Sequence, residues 1–262
     1  MPPMPKNINP NSEDTITFKK SYFYSALVVL AFGAGVLVGF FAWGLNRTST
    51  AQIPTAPQAT AVVQVQPTTI ALTPTPDAAA LNALMDQAIE GTRHFKGNEA
   101  AAITMIEFAD YQCPFCGRHF QQVQPQIDLQ YLDSDQIRFG YYNMAFLGAE
   151  STWAAEAAEC AADQDKFWEF HDYLYNNQGG ENQGVFSKEN LKKFAGTLGL
   201  DATAFNDCLD SGKYTALIQE DTASARNLGL SSTPSFLING QKIVGAQGLA
   251  SFQQVIDPLI KQ

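Results

Sequence analysis

Ile103-Thr104-Met105-Ile106-Glu107-Phe108, then Asp110-Tyr111-Gln112, then Cys113-Pro114-Phe115-Cys116 read as a buried strand, a polar turn and the first turn of a helix. Gly117-Arg118-His119-Phe120 continues that helix. Cys113 therefore falls where unpaired backbone N–H groups and the positive end of the helix dipole converge. That field favours thiolate over thiol, and the thiolate is the species that attacks. With an ordinary pKa near 8.5 a cysteine is only about 3% ionised at pH 7, whereas at about 5 it is almost fully ionised. Pro114 fits the start of the helix, since its missing N–H would have no partner there. Two thiols at this spacing can close a disulfide that is easily reopened. Dithiol–disulfide exchange is the chemistry this stretch suits.

Zinc knuckles share the Cys-x-x-Cys spacing, but zinc takes four ligands, usually from a second closely spaced pair. Cys160 and Cys208 each stand alone, and His94, His119 and His171 form no ligand-spaced pair. His119, almost two turns beyond Cys113, reads as a surface residue. No metal and no cofactor is expected.

The 262 residues do not form one continuous globule. Residues 1–21 read as a polar tail. Residues 22–45 hold no charge and four glycines among Leu, Val, Phe and Ala. At about 1.5 Å per residue this run spans a hydrocarbon core of about 30 Å with some tilt. Tyr22 and Trp43 fall near its ends, where interfacial aromatics belong. Ser49-Thr50-Ala51 offers a weak cleavage site, yet the span is longer than a signal peptide's apolar region, so a single permanent transmembrane helix is the better reading. Lys6, Lys19 and Lys20 precede the span and only Arg47 follows it closely, which sets the N-terminus in the cytoplasm and the rest outside the cell membrane. Residues 46–77, rich in Thr, Ala, Pro, Gln and Val, cannot bury enough apolar surface to offset chain entropy and read as a flexible tether. Residues 51–262 carry twelve basic and twenty-four acidic side chains, which argues against nucleic acid as a partner. All four cysteines lie on the outer side, where disulfides persist.

Residues 78–262 are expected to form one α/β domain. A helix runs from Asp77, its N-cap, to about Phe95, and Pro125 divides the helix that follows Cys116. Ile137-Arg138-Phe139-Gly140-Tyr141-Tyr142 is the second strand, parallel to the first. Residues 150–228 turn wholly helical, with glycines as punctuation. Ser235-Phe236-Leu237-Ile238 and Gln241-Lys242-Ile243-Val244 flank Asn239-Gly240, a strong hairpin signal. Leu249 to about Ile260 closes the chain as a helix with Pro258 late in it.

Taken together, residues 107–116, the helical block around Lys166-Phe167-Trp168-Glu169-Phe170-His171, and Thr233-Pro234-Ser235-Phe236-Leu237-Ile238-Asn239-Gly240 resemble the DsbA-like branch of the thioredoxin fold. The resemblance covers about residues 95–262. It implies a thioredoxin-like fold with a helical insertion between the second strand and a cis-proline hairpin. Cys113 then resembles the exposed nucleophile that forms a mixed disulfide with a client, and Cys116 the buried resolving thiol. Pro234 looks like the cis-proline beside the disulfide; on residues alone it also fits an ordinary trans turn. Thr233 would place a hydroxyl near the sulfurs. Glu107 resembles a buried acid that moves protons for Cys116, although its alternation with Ile106 and Phe108 also fits the solvent face of an edge strand. Asp110 reads as a turn residue. Trp153, Phe167 and Trp168 read as core joining the helical block to the sheet, and Phe115, Tyr111 and Phe146 as a candidate client groove.

Phe115 stands where a strongly oxidising relative has histidine, Ser232 replaces a common glycine, and Ala145 lies where a proline is frequent. These departures bear on a potential that ranges from roughly −270 to −120 mV among dithiol proteins. Some relatives carry a disulfide in the helical block, which implies a Cys160–Cys208 bridge; two buried free thiols are the alternative. The activity implied is extracytoplasmic introduction of disulfides into reduced exported proteins, with reoxidation by a quinone-linked membrane partner of the DsbB or VKOR type. Two other readings stay open: a tethered reductase or isomerase, and a non-catalytic binding module whose Cys113–Cys116 bond is structural.

Overall fold

The computed structural model describes residues 77–261. The tail, the apolar span and the tether expected before Asp77 lie outside the described residues. Among those described, no helix is long and apolar enough to cross a membrane.

Asp77 caps α1 (Ala78–Gly91), its carboxylate accepting from Ala79 N at 3.3 Å. This helix ends at Gly91 and does not reach Phe95. His94–Gly97 instead forms β1, antiparallel to β3 (Ile137–Asn143) at the sheet edge. Four residues, three half-buried and Gly97 exposed, carry little periodicity of their own, and Lys96 suits an edge. β2 (Ile103–Ala109) runs parallel to β3, as expected, although β1 makes these strands second and third in chain order. β4 (Ser235–Ile238) pairs antiparallel with β2 and with β5 (Gln241–Val244), so the sheet order is β1-β3-β2-β4-β5. The β4–β5 turn is the two residues Asn239 and Gly240, both at positive φ, as a primed hairpin turn requires. Asn239 also carries the ladder to β2, its side chain accepting from Thr104 N at 2.8 Å and donating to Ala102 O at 3.1 Å.

β2 is central and buried along its whole length. One face packs Ile103 and Met105 against Val123, against Ile127 of α3 (Gln124–Ile127) and against Phe252 and Ile256 of α9 (Leu249–Ile260). The other packs Ile106 and Phe108 against Met85 and Ala88 of α1 and Ala225 of α8 (Thr215–Asn227). The helix that begins at Pro114, α2 (Pro114–Gln122), is separated from α3 just before Pro125, which has no N–H to continue the ladder.

Between β3 and β4 lies the helical block: α4 (Ala149–Ala162), α5 (Phe167–Asn176), α6 (Lys188–Thr197), α7 (Ala202–Ser211) and α8. α4 is buried on nearly every side, which its alanines at 154, 155, 157, 158 and 161 permit. Phe167 is buried, while Trp153 and Trp168 pack half-buried against the same core. Cys160 of α4 and Cys208 of α7 form a disulfide across 48 residues, so the bridge and not the free thiols is realised. Arg93, just before β1, pairs with Glu159 of α4 at 3.3 Å and with Asp221 of α8. Glu159 also takes His94 Nε2 and Asn143 Nδ2, each at 2.9 Å, and so ties the block to the sheet edge.

Closing a loop of 48 residues stabilises a chain by up to about 4 kcal/mol. A Cys160→Ala/Cys208→Ala double variant is expected to lose most of that in urea unfolding. A loss below about 0.5 kcal/mol would place the block's anchorage in α4 packing and the Arg93 cluster instead.

Candidate active site

The site is assembled where β2 ends. Asp110 shapes the turn: Oδ1 accepts from Gln112 N at 2.9 Å and from the Ser151 hydroxyl at 2.6 Å, and Oδ2 from Phe146 N and Leu147 N at 2.9 and 3.1 Å. With its acceptor positions taken up by the backbone and by α4, it is the turn residue the sequence suggests. Cys113 N donates to Asp110 O at 3.0 Å, and Cys113 then serves as the N-cap of α2 with Pro114 inside the first turn.

Cys113 and Cys116 are unbridged thiols here. Cys116 donates its hydrogen bond to the Cys113 sulfur, and this is the largest influence lowering Cys113 to about 6. Burial opposes it; the Thr233 side chain and the N–H groups of Cys116 and Phe115 assist. While protonated, Cys113 Sγ donates to Thr233 O at 3.4 Å. Cys116 is fully enclosed, and burial, its hydrogen bond to Cys113 and the neighbouring charges push its pKa well above the ordinary value. One sulfur is thus held ready to ionise and the other held protonated.

Cys113 is 4% exposed, not open to solvent as the resemblance suggested. The loop carrying Thr233 and the cis bond to Pro234 covers the sulfur. Pro114 and Phe115, both exposed, border it, and Arg118 lies 4.9 Å from the Phe115 ring. Pro234 is cis, so the trans reading falls. Tyr111 cannot line a client groove. Its ring is buried between Tyr141 and Tyr175, while Phe115 is 52% exposed and Phe146 half-buried.

Glu107 is buried on the central strand, not solvent-facing at an edge. It shares the β2 face of Ile103 and Met105, the face that α2 and α3 cover. Burial pushes it up to about 8, against the nearby charge of Lys96, so it is neutral at pH 7. Its side chain lines a cavity of about 370 Å³ bordered by Lys96, Gln124, Asp128, Phe120 and His171. Lys96 Nζ meets Asp128 at 3.0 Å at that border. Glu107 therefore faces this cavity, and its ionisation is coupled to both sulfurs: a charge on Cys113 raises its pKa, and a charge on Glu107 raises that of Cys116.

His119 is enclosed and is not a surface residue. It packs tilted against Phe236 and Phe252, at 4.5 and 5.3 Å between centroids, and Nε2 meets Gln124 Oε1 at 3.1 Å. Burial lowers its pKa to about 4, so it is uncharged. Among the described residues no three His, Cys, Asp or Glu side chains gather as metal ligands. The helical block adds a residue that motif reading does not reach, Gln178, whose amide touches the redox turn. Its only sequence signal is a place beside Gly179-Gly180.

A thioredoxin family model matches residues 90–258. Na(+)/H(+) antiporter NhaA 1 of Salinispora arenicola is 30% identical over 165 residues, covering 62% of this chain and 24% of that protein. The chain thus spans about a quarter of the length of that curated relative. Disulfide bond formation protein D of Bacillus subtilis is 25% identical over 169 residues, covering 63% of this chain and 75% of that one. Among solved structures, Wolbachia pipientis alpha-DsbA1 is similar at a TM-score of 0.58 and 26% identity, covering 64% of this chain and 90% of that one.

Glu107 also sets a pH dependence. Its pKa is raised from 4.5 to about 8 on folding, so between those values the unfolded chain has lost a proton that the folded chain keeps. Stability then falls as pH rises through this window, by up to about 1.4 kcal/mol per pH unit. A Glu107→Gln variant lacks this loss: its stability relative to wild type should grow from pH 5 to pH 8 in urea titrations. Parallel pH profiles for the two proteins would show that Glu107 ionises normally.

Proposed function

This chain belongs to the thioredoxin family, and we propose that it is a protein thiol–disulfide oxidoreductase that introduces disulfides into client proteins. The carrying observation is the asymmetry of the pair: Cys113 lowered to about 6, Cys116 raised and enclosed directly beneath it. In the oxidised enzyme a client thiolate attacks Cys113 Sγ. The Cys113–Cys116 bond breaks, and Cys116 leaves with the electron pair. Glu107, neutral below about pH 8, supplies the proton Cys116 takes up and regains it through the Lys96–Asp128 cavity. A second client thiolate then attacks the client sulfur of the mixed disulfide and expels Cys113 as a stable thiolate. The client has lost two electrons and the enzyme pair has gained them.

A low Cys113 pKa stabilises the reduced enzyme and so favours the oxidising direction over reductase or isomerase work. Thr233 and cis-Pro234 frame the sulfur and present backbone to an extended client. The name of the Bacillus relative, disulfide bond formation protein D, supports the same direction. Exported proteins are the clients in this reading, and the domain stands outside the cell membrane on the residue 22–45 anchor. The lysines before that span and the tether after it support this topology. Reoxidation falls to a quinone-linked membrane partner of the DsbB or VKOR type.

Cys113→Ser is expected to abolish oxidation of a reduced model peptide, and Cys116→Ser, offered the same peptide as a mixed disulfide with glutathione, to exchange out glutathione and accumulate peptide–Cys113 mixed disulfides visible by mass spectrometry. The wild-type couple, equilibrated with glutathione, should be more oxidising than roughly −270 mV. Undiminished peptide oxidation by the Cys113 variant would overturn the proposal.

A further inference from the structure

Gln178 lies just past the end of α5, and its carboxamide reaches the redox turn. Its nitrogen donates to Tyr111 O at 2.7 Å and to Cys113 O at 2.9 Å. Both partners are carbonyls, which only accept, so the nitrogen end must be the one facing them. Its oxygen end lies against Gly117, where an added Cβ would overlap it. Gly117 is therefore the residue that lets the amide approach α2. Gly117 N donates to Cys113 O at 3.1 Å in the first turn of α2, so the Cys113 carbonyl receives one donor from its own helix and one from the helical block.

The segment that carries Gln178 is fastened to the same turn. Asn182 N donates to Gln112 Oε1 at 2.6 Å, and Gln112 Nε2 donates to Ser151 Oγ at 2.8 Å. Asn182 Nδ2 donates to Leu147 O at 2.7 Å. Glu150 holds the segment's far end, accepting from Gly184 N at 2.7 Å and Phe186 N at 2.8 Å. Such bracing keeps the amide in one orientation, so its dipole has a fixed sense relative to the sulfur.

We propose that Gln178 is a positioning residue for Cys113, acting through the carbonyls of Tyr111 and Cys113. Carbonyl oxygens one and two peptide units from a sulfur oppose its ionisation. Two donated N–H groups offset that partial negative charge and hold the first turn of α2 so that the Phe115 and Cys116 N–H groups face Sγ. The helical block thereby tunes the nucleophile as well as covering the sheet. This inference rests on the reading of Cys113 as the nucleophile.

Two variants attack the contact from opposite sides. Gln178→Met keeps the length and removes both donors. Gly117→Ala expels the amide from below while installing a better helix former. Thiolate absorbance of the reduced full chain is titrated against pH, and the couple is equilibrated at pH 7 with glutathione. Wild type should titrate near 6. In both variants the midpoint should rise by about one pH unit, and the equilibrium should move about fivefold towards the protein disulfide. A role limited to bracing would move the urea midpoint but leave the titration in place. Both variants titrating with wild type near 6 would overturn the proposal. Wild type titrating near 8.5 would instead remove the reading beneath it.

Discussion

The structure depends on one asymmetry between two sulfurs a single helical turn apart. Cys113 sits at the tip of α2 and receives hydrogen bonds from Cys116, from the Thr233 side chain and from the N–H groups of Phe115 and Cys116. Cys116 has the same element and the opposite surroundings: complete burial and a position in which it donates. A thiolate gains from every donor placed around it, whereas burial of Cys116 outweighs the one backbone donor it has, from Asp110, and keeps its proton on. The difference lies in position along the helix and not in residue type.

The rest of the fold places the surroundings of that pair. β2 is central, and its end fixes where α2 begins; Asp110 locks the turn between them by accepting four hydrogen bonds. β4 brings Thr233 and Pro234 alongside through its antiparallel pairing with β2. The same strand that leads to Cys113 puts Glu107 on the face beneath α2, where burial keeps it protonated at neutral pH. Arg93, Glu159 and Asp221 hold the helical block against the sheet edge, and Gln178 extends from that block into the redox turn.

Much of this arrangement is legible in the sequence because local chemistry dictates it. The apolar run before Asp110, the Asn239-Gly240 hairpin, the break near Pro125 and the helical character of residues 150–228 all follow from periodicity, turn preference or a missing N–H. Cys113 and Cys116 lie beside Thr233 and the cis bond to Pro234, and the Cys160–Cys208 bridge forms. What escapes is decided by contacts distant in sequence. β1 is short, half-buried and defined by its pairing with β3. His119 reads as polar surface, yet α2 turns it inward between Phe236 and Phe252, with Gln124 as its partner. Tyr111 and Cys113 read as accessible because nothing local predicts that Tyr141, Tyr175 and the Thr233 loop cover them. Gln178 carries no motif; only the fold brings it to Cys113.

Alkylation across pH, with the modified residue identified by mass mapping, tests the central asymmetry most directly. In the reduced protein, modification is predicted at Cys113 alone, with a rate midpoint near 6 and Cys116 silent through neutral pH. Equal labelling of both cysteines, or a Cys113 midpoint at the ordinary value of about 8.5, would contradict the account.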